Sequence, residues 1–157
     1  MPTKLAVFKA EYRVPVNNDC KGYFLIVTER LKVKVPPGPQ ADDIIKHICA
    51  HWVRIGKGAQ DGPTAQDFSK KEYFVVALLS HEKYVHPHKS GHVAIVLPTP
   101  TSDYPYVVCG SDSSSGYGKS DGSKKVFEAG HGSPWRSEDA PNIEYYRTPT
   151  PVADPEK

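Results

Sequence analysis

The sequence predicts an α+β domain in which a leading helix packs on an antiparallel sheet, and three observations predict it. Between Asp42 and Ile55 the apolar residues Ile44, Ile45, Ile48, Cys49, Trp52 and Val53 recur at intervals of three and four, the period of a helix with one buried face. Tyr73 to Ser80 and His92 to Leu97 are short runs rich in β-branched and apolar residues, as buried strands are. Val16 to Phe24 is a polar turn that opens onto a third apolar run and places Cys20 at its start.

The elements follow in order. Lys4 to Tyr12 alternates and reads as an edge strand or extended arm. Asn17, Asn18 and Asp19 are residue types that cap helix starts, so a helix is expected from about Cys20 to Leu31, burying one side through the run Tyr23-Phe24-Leu25-Ile26-Val27 with Leu31. Val33 to Pro39 holds three prolines and cannot be helical; it is a rigid cleft wall or a plain linker. The helix over Asp42 to Ile55 has acidic residues in its first turn and Gly56 after its end. Thr64 caps a short helix to about Lys71. Tyr73 to Ser80 and His92 to Leu97 then form an antiparallel hairpin, Tyr104 to Gly110 a third strand, and Ser111 to Ser123 a Gly/Ser-rich loop. Trp135 and the run Ile143 to Arg147 supply a last strand packing back on the sheet.

With 157 residues the chain makes one domain, taken as 1–148, with a disordered Pro-rich tail over 149–157. A net charge of +2 points away from nucleic acid and suits a mildly basic surface facing an anionic polymer. No apolar run reaches the ~20 residues that cross a bilayer. Met1 to Phe8 lacks a signal peptide's apolar core, so action outside the cytoplasm would need an export machine. Three cysteines cannot all pair within one chain; Cys49 reads as core packing, whereas Cys109 ends a strand and can lie near Cys20.

Two stretches carry chemistry. Val16-Asn17-Asn18-Asp19-Cys20-Lys21-Gly22-Tyr23-Phe24 puts a thiol in the first turn of a helix, where the dipole and unsatisfied N–H groups favour the thiolate. Ser90-Gly91-His92-Val93-Ala94-Ile95-Val96-Leu97 puts an imidazole at the leading edge of a strand, at the rim of the sheet, where it can take the thiol proton and return it to a leaving amine. Two rival motifs are weaker. Gly116-Tyr117-Gly118-Lys119-Ser120 resembles part of a phosphate-binding loop but lacks the first glycine and the strand-to-helix context. His81, His86, His88 and His92 cluster in sequence, and His47 and His51 fall four apart, but neither set reads as a zinc site.

Asn-Asp-Cys-x-Gly-aromatic followed by Gly-His-Val-Ala-Ile-Val resembles the NlpC-type and CHAP-type cysteine peptidases of the papain-like superfamily, and more closely the first family of type VI secretion amidase effectors. Asn18 to Tyr23, Val33 to Gly38, Tyr73 to Ala77, Gly91 to Val96, Tyr104 to Ser111 and Asn142 to Tyr146 line up in that order. Lys21 stands where a small polar residue is usual, and the loop from Ser80 to Ser90 is long for that family. The resemblance implies a papain-like fold and a catalytic amidase domain over 1–148. Cys20 is then the nucleophile and His92 the base, the imidazole being oriented by Cys109, Ser111 or Asp112. Asp19, Lys21, Gly22 and Gly91 would line the substrate cleft. The implied substrate is the peptidoglycan stem peptide, at the γ-D-glutamyl–meso-diaminopimelate bond, with no cofactor or metal. The implied partners are a cognate immunity protein and a component of the secretion machinery. The implied site of action of this monomer is the periplasm of a target bacterium. The rival readings are a non-catalytic module binding cell wall or a partner, and an N-acetylmuramoyl-L-alanine amidase.

Overall fold

The computed structural model describes residues 4, 6–8, 20–35, 41–86, 91–110, 120–129 and 133–152, without the side chains of 20–22 and 41. Helix α1 (Cys20–Arg30) is followed by α2 (Ala41–His51), β1 (Val53–Lys57), α3 (Gly62–Lys70), β2 (Val75–Leu79), β3 (His92–Val96), β4 (Tyr106–Cys109), β5 (Ser120–Lys125) and β6 (Glu144–Arg147). The six strands form one sheet in the order β1-β6-β2-β3-β4-β5, with antiparallel neighbours throughout. This is the α+β arrangement that the sequence predicts. The centre is β2 and β3, every residue of which is buried, as strands covered on both faces must be.

Strand alternation divides the core in two. On the first face, Val76, Leu78, Val93 and Ile95 meet Tyr23, Phe24 and Val27 of α1 and Ile44, Ile45 and Ile48 of α2. On the second, Val75, Ala77, Leu79, Ala94 and Val96 meet Ala65 of α3, Trp135, Ala140 and Tyr145. The β-branched content of α1 does not prevent the helix, because Tyr23, Phe24, Val27 and Leu31 recur at helical spacing and are all buried. Its end is closed by Val33 N–H donating to Thr28 O at 2.8 Å, with Lys32 in the left-handed region at φ 58°.

Several expectations are corrected. Where described, the N-terminal segment is helical at Lys4 and Ala6 to Phe8 rather than extended. Val7 and Phe8 are buried, and Phe8 O accepts the Tyr23 hydroxyl at 2.6 Å. The second helix ends at His51, its last bond running from Trp52 N–H to Ile48 O. The segment read as its continuation is β1, which carries β-branched Val53 and Ile55 and pairs with β6 with a bulge at Ile55, between Arg54 and Gly56. Cys49 is exposed, because the buried stripe of α2 runs through Ile44, Ile45, Ile48 and Trp52. The short helix starts at Gly62 with Pro63 in its first turn, before Thr64; Asp61 precedes it, and its carboxylate accepts Lys57 N–H at 2.8 Å. The end of the Gly/Ser-rich loop is strand: β5 begins at Ser120, whose hydroxyl donates to Val107 O at 2.7 Å. Beyond Thr148, Val152 N–H donates to Glu72 O at 2.8 Å; residues 153–157, like most of the proline stretch, lie outside the described residues.

Candidate active site

His92 opens β3 with Leu79 as its register partner on β2, and alternation sets it with Ala94 and Val96 on the second face. Its imidazole is fully buried, correcting the expected position at the rim. The cover is Trp135, whose ring meets the imidazole edge-on with centroids 4.8 Å apart at 61°. Trp135 is fixed in turn by Nε1–H donating to Tyr84 Oη at 2.9 Å. A buried indole needs such an acceptor, and the bond sets the tilt of the ring over His92.

Cys109 shares this environment. Val108 pairs with Ile95, which puts Cys109 beside Ala94 and diagonal to His92, a relation in which Cα atoms are about 7–8 Å apart. It is buried in the second-face cluster. Ser111 and Asp112, the other expected orienting groups, and Asp19 of the expected cleft lie outside the described residues.

Cys20 is the first residue of α1, followed in the first turn by Lys21 and Gly22; its thiol lies outside the described side chains. A helix start offers a thiolate free N–H groups and the positive end of the dipole. α1 packs on the first face, whereas the imidazole leaves the sheet toward the second, from the residue at which β3 begins.

That beginning is held by a residue sequence reasoning took only as a helix-start acid. Asp42 Oδ2 accepts Gly91 N–H at 2.8 Å, and Oδ1 accepts His81 N–H and pairs with His81 Nδ1, each at 3.0 Å. Burial alone would raise the Asp42 pKa, but the two amides and the imidazole together hold it below the usual carboxylate value. The Asp42 carboxylate in turn raises the exposed His81 imidazole. Gly91 fits because it has no side chain: a Cβ there would sit 2.6 Å from Leu79 O and 2.7 Å from Ile45 Cδ1.

Other described residues of the β2–β3 connection are also anchored by distant partners. Lys83 Nζ pairs with Glu144 at 2.7 Å, and Val85 N–H donates to buried Asp139 at 2.8 Å. Asp42, Tyr84, Trp135 and Asp139 were not foreseen as a group, since only the fold brings them to one connection. On α2 the rings of His47 and His51 lie 4.7 Å apart. Among the described residues no group of three or more His, Cys, Asp or Glu could hold a metal ion, and no helix is long and apolar enough to cross a membrane.

In chain order the parts are a cysteine at a helix start and then a histidine at a strand start. Comparison with known proteins agrees with the resemblance drawn from those motifs. The chain is similar to the peptidoglycan amidase Tse1 of Pseudomonas aeruginosa, with 28% identity over 134 residues, covering 84% of this chain and 76% of the relative. No protein-family profile matches the chain.

Proposed function

We propose that this protein is a peptidoglycan amidase of papain-like, NlpC type, with Cys20 as nucleophile and His92 as general base and acid. The observation that carries the reading is the joint one. The Cys20 helix start and the His92 strand start occur in that order within a chain similar, over most of its length, to a peptidoglycan amidase.

In this mechanism the Cys20 thiol passes its proton to the His92 imidazole and the thiolate attacks the stem-peptide carbonyl. The backbone N–H of Cys20 stabilises the oxyanion, a kind of donor worth about 3 kcal/mol of barrier. The imidazolium protonates the leaving amine as the C–N bond breaks, leaving a thioester on Cys20. His92 then draws a proton from water, which hydrolyses the thioester and regenerates the thiol. Trp135 and Tyr84 hold the ring, and Cys109 lies beside its strand as the orienting group favoured among Cys109, Ser111 and Asp112. The bond assigned is γ-D-glutamyl–meso-diaminopimelate. The setting assigned is that of a type VI effector acting in the periplasm of a target cell, with a cognate immunity protein in the producer.

The test is digestion of purified sacculi followed by mass spectrometry of the fragments. Cleavage at the assigned bond, abolished by Cys20→Ala and by His92→Ala with the fold retained, is the expected result. Free muramic-acid ends with intact stem peptides would mean an N-acetylmuramoyl-L-alanine amidase instead. Release that persists in Cys20→Ala would sink thiol catalysis. The full burial of His92 favours a second reading, a non-catalytic module binding cell wall; this reading requires sacculus binding with no fragment released.

A further inference from the structure

Asp42 stands in the first turn of α2, where an acid ordinarily serves its own helix by answering the free N–H groups and the dipole. Here the partners of the carboxylate among the described residues lie elsewhere. Oδ1 takes the His81 amide and imidazole, and Oδ2 takes the Gly91 amide. His81 follows β2 by two residues and Gly91 directly precedes β3, so one side chain ties together both ends of the connection between the central strands. The same two strands are joined by the Leu79–His92 pair, and Ile45, a turn along α2, closes the space over Gly91. The carboxylate is therefore bonded to the residue next to the candidate base, from a helix on the opposite face of the sheet.

We propose that Asp42 is a positioning residue for His92. By holding the Gly91 amide it fixes the backbone at which β3 begins, and so the height and direction from which the imidazole leaves the sheet. The role as a positioning residue in catalysis rests on the hydrolase reading; the clamp itself does not. Without the carboxylate, the Gly91 and His81 amides lose their acceptor, and among the described residues the connection keeps its anchors at Lys83, Tyr84 and Val85. The His92 ring then samples several orientations against Trp135.

The experiment compares the full-length protein with Asp42→Ala and Asp42→Asn. Hydrogen exchange at the Gly91 and His81 amides is expected to accelerate at least about tenfold in Asp42→Ala, while the amides of Val76 and Ala77 stay protected. The NMR signals of the His92 ring should shift and broaden. Fragment release from sacculi should fall roughly 10- to 100-fold in kcat with KM within about twofold, as expected for a misplaced group rather than a lost binding contact. Asp42→Asn keeps one carbonyl acceptor and should recover part of both the protection and kcat. Unchanged exchange at Gly91 and an unchanged His92 ring in Asp42→Ala overturn the clamp. A fall in kcat no larger than the fall in folded fraction, with no recovery in Asp42→Asn, overturns the positioning role. If the wild-type protein releases nothing from sacculi, the hydrolase reading fails alone, and exchange and the His92 ring still decide the clamp. If Asp42→Ala does not fold, the same readings on Asp42→Asn decide it.

Discussion

The two faces of β2 and β3 solve the same burial problem with different chemistry. The first is dominated by hydrocarbon, with the Tyr23–Phe8 bond and the Glu144 ion pairs beside it: Phe8, Phe24 and Trp52 all meet Phe74 edge-on, with centroids 6.0, 6.0 and 5.9 Å away. The second has small residues at its centre, Ala77 and Ala94, and into the room they leave it takes side chains with polar atoms. His92 lies against Trp135, Trp135 bonds Tyr84, and the buried Tyr145 hydroxyl donates to Gly58 O at 2.9 Å, its pKa raised by burial. Apolar burial is non-directional, so the first face stabilises whatever packs well. A buried polar atom must find its partner at a set distance and angle, so the second face specifies geometry. The candidate base sits on the face that specifies.

The largest effect should come from emptying the first face. Phe74→Ala removes the ring on which three aromatic edges converge and should cost about 3–5 kcal/mol, a drop of roughly 10 °C in thermal midpoint for a domain of this size. Measured well below that midpoint, fragment release per folded molecule should stay close to wild type. A large loss of activity in fully folded protein would break the division between the faces.

A smaller but more telling effect is expected on the second face. Trp135→Phe keeps an aromatic edge near His92 and removes the donor to Tyr84, for about 1–2 kcal/mol of stability. Activity should fall further than that loss explains, because the ring over the imidazole is no longer fixed. In a double-mutant cycle with Tyr84→Phe the two changes should couple by about 1 kcal/mol in stability and be far from additive in kcat. Additivity in both would mean that Trp135 acts only as packing.

This contrast also explains what the sequence could and could not disclose. The first face was legible because its signals are local: Ile44, Ile45 and Ile48 carry the helical period, and the dense runs of β2 and β3 admit few readings. The edge strands were not. Val53 and Ile55 continue the three-and-four spacing of α2, and only pairing with β6, far along the chain, makes them β1. The β5 residues Ser120 to Lys125 show no apolar alternation; backbone pairing with β4 and Gly122 at φ 106° make them a strand. Cys49 sits one position off the buried stripe, a distinction finer than spacing resolves. At the site, Cys20 and His92 were legible as residue types at element starts. Asp42 and Trp135 were not, because a carboxylate in a first turn and a lone tryptophan each have a simpler local meaning until the fold brings partners to them.

The smallest expected effect concerns Glu144, which pairs with Leu78 and so shares the first face. Its carboxylate is buried and accepts from Lys83 Nζ at 2.7 Å and Arg54 Nε at 3.0 Å. Burial pushes its pKa up, but the bonds from Lys83 and then Arg54 outweigh that and leave it below its ordinary value of 4.5. With the folded value depressed, the unfolded chain binds the extra proton first. The contribution is therefore complete above about pH 4.5 and fades as pH falls through the lower folded value. Glu144→Gln should lower stability at neutral pH by about 1–2 kcal/mol and flatten the acid limb, so that the two stability curves converge in acid. Both cations are about half exposed, so high salt should narrow the neutral-pH gap. Fragment release at pH 7 should be little changed, because this polar cluster pins the connection at Lys83 and does not touch the His92 ring. A loss in kcat with stability intact would move Glu144 from the face that stabilises to the one that specifies, and the division would have to be redrawn along the connection rather than across the sheet.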